Sequence, residues 1–196
     1  MSADLYFFIL DLVASFALAT AASCRARTNG AHFTGAAVLA CLSGLSAPVM
    51  RDALLGSAIM TLNRGEYLAA AVAGALLGEV LAHNRNSWKV FFWFDTVALA
   101  FSAGVGAVKA AIWGIGLTGS LLLGVLAALT GGSVRDIALG DMARFVEENM
   151  YATAAAFGAM LALAVMICFH LPVWQCALCG ALLTLALRGV WGKAVP

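Results

Sequence analysis

Apolar residues run along the chain in seven long stretches separated by short polar punctuation, at about 5–23, 33–60, 67–81, 90–109, 115–139, 151–169 and 172–188. Most are close to the roughly 20 residues that a straight helix needs to cross the hydrocarbon core of a bilayer. Cys24-Arg25-Ala26-Arg27 closes the first stretch and His83-Asn84-Arg85-Asn86 the third. His170-Leu171-Pro172 forms a turn before the seventh, where Pro172 suits the start of a helix. Arg188-Gly189 is expected to end that last helix. The pattern predicts an all-α membrane protein with seven transmembrane helices in a single transmembrane domain.

The polar positions inside the stretches repeat. Arg51-Asp52 returns as Arg135-Asp136, 84 residues later. At the same offset Asp11 matches Asp95, Gly30 matches Gly114, and Leu55-Gly56 matches Leu139-Gly140. Tyr67 matches Tyr151 and Gly74 matches Gly158, with no gap needed anywhere. The chain is therefore two copies of one three-helix unit, at about 5–83 and 89–169, followed by an extra helix at about 172–190. An odd number of spans per copy forces consecutive copies to insert in opposite directions, which gives an inverted repeat. The seventh helix has no counterpart in either copy and reads as a packing or assembly helix.

Two stretches, the second and the fifth, carry helix-unfriendly residues near their middles. In the second the run is Ser43-Gly44-Leu45-Ser46-Ala47-Pro48, and in the fifth Thr130-Gly131-Gly132-Ser133. Pro removes a backbone donor and Gly weakens a helix, so both stretches are expected to break or kink there, at Gly44 and Pro48 and at Gly131 and Gly132. Broken helices at matching places in two halves are a sequence pointer to a transport site. The hydroxyls of Ser43, Ser46, Thr130 and Ser133 sit at these breaks. They either contact a cation or bond back to a preceding carbonyl of their own helix.

The Arg-Asp pairs follow the breaks by a few residues. Charges inside a membrane are costly and usually mark an ion or substrate path. Sequence neighbours on a helix do not face one another, so Arg51 with Asp52, and Arg135 with Asp136, are expected to seek partners elsewhere. Asp11 and Asp95, one or two turns inside their own spans, are the candidate partners of the two arginines. Two readings stay open. The charges lock the repeats together as buried ion pairs, or they line an aqueous path; both can hold at once. Lys109 ends the fourth span and matches Arg25, and snorkelling to the interface is the expected behaviour of both; Lys109 also stands where it can overhang a pore mouth. Glu79 reads as an interfacial charge. The small-residue stripes Ala70-Gly74-Gly78 and Ala154-Gly158-Ala162 read as helix-packing surfaces.

Composition narrows the class. Of all residues 63% are hydrophobic and 11% charged, with a mean hydropathy of +0.97. Soluble domains carry about 25% charged residues. The net charge is +1 and no Lys/Arg stripe exists to neutralise phosphates, which excludes nucleic acid as a partner. Arg25, Arg27, Arg85, Lys89, Arg144, Arg188 and Lys193 collect on one side of the membrane, and only Arg64 and Lys109 on the other. The positive side is expected to be cytoplasmic, with the N-terminus outside and the C-terminus inside. The first stretch has no positive leader and carries Asp4 and Asp11, so it reads as a retained span.

Catalytic and metal chemistry find little support. The five cysteines, Cys24, Cys41, Cys168, Cys176 and Cys179, are odd in number and dispersed, and Cys176-Ala177-Leu178-Cys179 is a lone CxxC inside an apolar helix. Neither Ala138-Leu139-Gly140-Asp141 nor Gly131-Gly132-Ser133-Val134 completes an intramembrane protease motif, and no nucleophile–base pair is visible. No enzyme, no metal and no cofactor is expected.

The tandem Arg51-Asp52-Ala53-Leu54-Leu55-Gly56 and Arg135-Asp136-Ile137-Ala138-Leu139-Gly140, each preceded by Asp-x-x-Ala, resembles the bacterial glycine-transporter-domain proteins and the related prokaryotic trimeric intracellular cation (TRIC) channels. The resemblance runs from about residue 5 to 188. It implies a homotrimer in the prokaryotic inner (cell) membrane, surrounded by lipid that can also bind. It further implies one hourglass pore per subunit for K⁺ and Na⁺, lined by the kinked second and fifth helices. On that reading Ser43, Ser46, Arg51, Asp52, Thr130, Ser133, Arg135 and Asp136 line the ion path, supported by Asp11, Asp95 and Lys109. Gly131-Gly132 matches the family's fifth-helix motif, whereas Ala47-Pro48 stand where the second-helix motif would place glycines. A secondary transporter of a small solute such as glycine is the alternative. Arg would hold the carboxylate and Asp the amine.

Overall fold

A computed structural model describes residues 3–56 and 60–191. Among the described residues every regular element is a helix. Seven are long and apolar enough to cross a membrane: α1 (Ala3–Thr28), α2 (Phe33–Leu54), α4 (Gly65–Ala82), α5 (Ser87–Ile112), α6 (Leu117–Ala138), α8 (Asn149–Phe169) and α9 (Val173–Trp191). Two single turns, α3 (Met60–Asn63) and α7 (Arg144–Glu147), lie between spans. Helix is what hydrocarbon demands, since backbone groups find no water there and must bond within their own segment.

The repeat is visible in the helix ends. The positive-φ glycines are Gly30 (φ 86°) and Gly114 (φ 80°) after α1 and α5, and Gly56 (φ 62°) and Gly140 (φ 76°) after α2 and α6. These are the glycines that the sequence pairs at an offset of 84. Each N–H turns back to a carbonyl of the last turn, as Gly56 N–H does to Ala53 O at 3.1 Å and Gly140 N–H to Ile137 O at 3.1 Å. Only glycine adopts this left-handed backbone without strain, which ends the helix at a defined residue.

The longest helices are α1 and α5, at 26 residues each, not the second and fifth spans that the hydropathy pattern suggested. They are the first helices of the two repeats, and they pack against each other at the centre. The span of α5 is 67% buried and that of α1 50%, against 28% for the outer α4. Around this pair α2 and α4 lean on α1, and α6 and α8 lean on α5. The second contact between repeats is α2 against α6.

Three expectations are corrected. The second span ends at Leu54, short of about residue 60; the expected continuation crosses 57–59, outside the described residues. The helix continues through Ser43–Pro48 in α2, although Pro48 has no N–H to give its own turn, and through Thr130–Ser133 in α6, so both are 22-residue helices and the expected breaks do not appear as lost helix. The glycines there serve close packing. A Cβ on Gly44 would lie 2.9 Å from Ser15 O of α1, and one on Gly131 would overlap the Leu18 side chain. The third correction is that α9 does not stop at Gly189; it continues to Trp191, and Gly189 packs against the Trp93 ring.

The glycine stripes are also internal. Gly74 and Gly78 of α4 meet the backbone of α1 at Phe16 and Thr20. Their counterpart Gly158 of α8 meets α9 instead, at Gly180 and Thr184. Gly104 of α5 meets Ala177 of α9. The seventh helix therefore packs against both α5 and α8, which also touch each other through Leu99, Ala103, Tyr151 and Ala155. A Cβ on Gly104 would sit 2.5 Å from the Ala177 carbonyl, whereas one on Gly65 would meet nothing within 4 Å. Gly104→Ala is expected to lower stability by about 1–3 kcal/mol through overpacking, with Gly65→Ala near neutral. Thermal melts of the two purified variants in detergent check this.

Candidate functional site

The membrane-embedded charges assemble into two clusters, one on each side, related by the repeat. In the first, Arg51 near the end of α2 reaches Asp11 of α1 in a fork, with Nη1–Oδ1 at 2.7 Å and Nη2–Oδ2 at 2.8 Å. Tyr67 Oη of α4 donates to Asp11 Oδ2 at 2.5 Å. Asp52 accepts from Arg51 Nη2 at 3.0 Å, from Thr61 N and Oγ1 at 3.2 and 2.9 Å, and from Lys109 Nζ of the other repeat at 2.8 Å. Two carboxylates face two cations, so the cluster is formally neutral. Bidentate Arg–carboxylate geometry is the strong form of such a pair.

The second cluster repeats the plan with additions. Arg135 Nη1 of α6 meets Asp95 Oδ1 of α5 at 2.6 Å, and Arg135 Nε meets Asp136 Oδ1 at 2.7 Å. Arg188 of α9 takes Asp95 Oδ2 at 3.1 Å and Glu148 Oε2 at 2.7 Å. Arg144 Nη1 pairs with Glu148 Oε1 at 2.9 Å, and its backbone N–H donates to Asp136 Oδ2 at 3.1 Å. Tyr151 Oη stands 3.4 Å from Asp95 Oδ1, a longer bond than that of Tyr67. Three acids face three arginines, and neutrality is kept. Phe91, buried between them, turns its ring to Arg135 at 4.7 Å and Arg144 at 4.4 Å. Such stacking holds guanidinium groups in a low-dielectric site.

The pairing of each arginine with Asp11 or Asp95 thus matches expectation. The expectation that neighbours would not bridge is overturned: Arg51 with Asp52, and Arg135 with Asp136, are in contact. Neighbouring Cβ atoms do point apart, but a guanidinium on three methylenes curls around the last helical turn to reach the adjacent carboxylate. Lys109 does not snorkel. It is held by Asp52 with only 14% of its side chain exposed. Arg25 pairs with Asp141 at 2.9 Å, and Glu79 with Arg27 at 2.8 Å.

The hydroxyls at the glycine-rich segments lie between the clusters. Ser46, Thr130 and Ser133 bond back to carbonyls of their own helices, those of Ser43, Leu126 and Leu129. Two of the hydroxyls also link the helices: Ser43 Oγ of α2 donates to the Gly131 carbonyl of α6 at 2.8 Å, and Thr130 Oγ1 of α6 stands 2.6 Å from Met50 Sδ of α2. On the arginine-rich face a pocket of about 110 Å³ opens beside the second cluster, lined by Arg25, Trp88, Asp136, Asp141, Met142, Arg144 and Glu147. Among the described residues no group of three or more His, Cys, Asp or Glu is placed to hold a metal.

Sequence reasoning missed Tyr67, Tyr151, Thr61, Arg144, Glu148 and Arg188 as cluster members. The two tyrosines carried a signal, since they match at the repeat offset. Arg188 carried none, because α9 has no counterpart in the repeat.

The glycine-transporter family matches the chain twice, over residues 8–83 and 92–167. The chain belongs to that family. The two matches stand at the same offset as the Arg-Asp pairs. A UPF0126 membrane protein of Deinococcus radiodurans is 32% identical over 92% of this chain and 85% of its own length. The UPF0126 inner membrane protein YadS of Escherichia coli is 25% identical over 79% of this chain and 76% of its own. Among solved structures, the TRIC trimeric intracellular cation channel orthologue from Rhodobacter sphaeroides superimposes with a TM-score of 0.87 at 25% identity, covering 95% of this chain and 98% of that one. A prokaryotic TRIC channel crystallised in 0.5 M KCl has the same fold, with a TM-score of 0.87 over 96% and 98% of the two chains at 20% identity. The likeness read from the Arg-Asp repeat is borne out. The protein is an integral membrane protein with the TRIC channel fold, and its structural neighbours are channel proteins, not enzymes.

The second cluster sets a stability test. Removing one partner of a buried ion pair leaves an uncompensated charge and costs about 3–5 kcal/mol, whereas a half-exposed pair is worth about 1 kcal/mol or less. Arg188, 2% exposed, stands on Asp95 and Glu148; Arg27 forms a partly exposed pair with Glu79. Arg188→Ala is expected to be far more destabilising than Arg27→Ala, as read by SDS-titrated unfolding of the two variants.

Proposed function

We propose that the protein is a monovalent cation channel for K⁺ and Na⁺. It forms a homotrimer, with one pore per subunit between α2 and α6. The observation that carries this reading is the fold shared over 95% of the chain with the Rhodobacter sphaeroides cation channel orthologue. The geometry supports it. Permeation calls for weak, multiple contacts and not one tight site. The hydroxyls of Ser43, Ser46, Thr130 and Ser133, and the Gly131 carbonyl, offer such contacts along the α2–α6 crossing. The two neutral clusters put Asp52 and Asp136 at opposite approaches, where their carboxylates offset the arginines so that no excess positive charge repels an entering cation. The Ser43–Gly131 bond closes the crossing in this conformation. Conduction requires α2 and α6 to part there, and the glycines of α6 with Pro48 of α2 give the helices that freedom. The arginine-rich face lies in the cytoplasm of a prokaryotic cell, with the N-terminus outside and lipid against the outer helices.

A second reading, a carrier of a small solute such as glycine, draws on the family description and on the inverted repeat, an architecture that also serves alternating access. Planar-bilayer recording of the purified protein under a KCl gradient separates the two. Discrete unitary currents reversing near the K⁺ potential are expected. Silent bilayers together with glycine uptake into liposomes from the same preparation would move the assignment to the carrier. In the same recordings Asp136→Ala is expected to lower unitary conductance and cation selectivity. Unchanged currents from that variant would take its carboxylate out of the ion path.

A further inference from the structure

The equivalent aspartates of the two halves differ in one ion pair. Asp52 and Asp136 occupy equivalent places at the ends of α2 and α6 and collect equivalent donors. Each accepts from the arginine before it and from a backbone N–H of the following connection, Thr61 N at 3.2 Å and Arg144 N at 3.1 Å. Asp52 holds one more cation, Lys109 of the opposite repeat, at 2.8 Å. By the repeat, Lys109 corresponds to Arg25. Arg25 does not occupy the equivalent place on Asp136. Its Nη2 pairs with Asp141 at 2.9 Å, while Asp136 and Arg25 line the same pocket. Asp141 stays close to Asp136 because its backbone N–H donates to the Asp136 carbonyl at 2.9 Å.

We propose that Arg25 is a two-position latch at the mouth on the arginine-rich face. In the position seen here it rests on Asp141, and Asp136 faces the pocket. In the other position it takes Asp136, as Lys109 takes Asp52, ties α1 to α6 and covers the mouth. Three observations make the two positions close in energy. The Arg25–Asp141 side chains are 28% and 35% exposed, so water screens the pair and little is lost when it opens. The guanidinium lies over the Trp88 and Phe91 rings at 5.5 and 5.8 Å, which supports its face and leaves its edge free to change acceptor. The internal repeat itself supplies the geometry of the second position. The effect on conduction rests on the channel reading; the latch does not.

Asp141→Asn takes the charge from the present acceptor, leaving Arg25 only a neutral amide oxygen there, and shifts it to the Asp136 carboxylate. Adding Arg25→Gln removes the latch altogether. Met142 lines the pocket and is 60% exposed, so Met142→Cys reports access there. Its alkylation by neutral iodoacetamide, followed by peptide mass to distinguish it from the native cysteines, is expected to slow about three- to fivefold in Asp141→Asn, the scale of one partly exposed ion pair. It should return to the starting rate in the double variant. Unchanged labelling in Asp141→Asn, or a double variant as slow as the single, would overturn the latch whether or not the protein conducts. Where the unmodified protein conducts, open probability should fall and recover with labelling; labelling that changes without it would show that the latch does not gate. If the unmodified protein is silent, the channel reading fails alone and labelling still decides the latch.

Discussion

Ionised side chains held inside a bilayer must be neutralised where they sit, and the rest of this structure follows from how that is done. Asp11 and Asp95 lie two turns inside the central helices α1 and α5, 4% and 0% exposed. Hydration of such carboxylates cannot be replaced by lipid, so cations must come to them from other helices. Arg51 and Arg135 come from the ends of α2 and α6, and Tyr67 and Tyr151 from α4 and α8. Each half is thereby fastened at one end, and the two ends lie on opposite faces because the halves are inverted. Between them α2 and α6 cross with two interhelical side-chain bonds, Ser43 to the Gly131 carbonyl and Thr130 to the Met50 sulfur. Rigid ends and a more lightly tied middle are what the proposed gate at the crossing requires.

The inverted repeat is not kept perfect, and the departures gather on the arginine-rich face. There α9 packs against both α5 and α8 through Gly104, Gly158 and Gly180, where only backbone thickness separates the helices. This packing brings Arg188 onto Asp95, and the added cation is balanced by Glu148. The tyrosine contact is also longer in this half, 3.4 Å at Tyr151 against 2.5 Å at Tyr67. An extra positive charge inside a membrane is tolerated only with an extra negative one, which is why Arg188 and Glu148 come together.

Much of this was legible in the residues. The seven spans, the two copies and the partners Asp11 and Asp95 follow from apolar run lengths and an 84-residue offset, and the structure has them. The mid-helix breaks do not appear as lost helix. Pro48 and Gly131-Gly132 read locally as helix breakers, yet in hydrocarbon the alternative is unbonded backbone, and neighbouring helices pack into the space that the glycines leave. The bridge between adjacent Arg and Asp was misjudged because the facing rule concerns Cβ directions, not the reach of a long guanidinium. Arg144 and Arg188 registered only as cytoplasmic-side charge, since a linear count cannot tell a cation at the interface from one turned inward.

The sequence by itself determined the class, the number of spans, the inverted repeat and the need for internal charge pairing. Each of these depends on local hydropathy, on chain parity or on a cost that holds at any buried position. Tertiary structure alone decided which cation met which carboxylate, that Lys109 joins the first cluster and Arg25 does not join its counterpart, and that α9 belongs to the second site. Those outcomes depend on distances between residues far apart in the chain, and only the packing of helices at glycine contacts sets them.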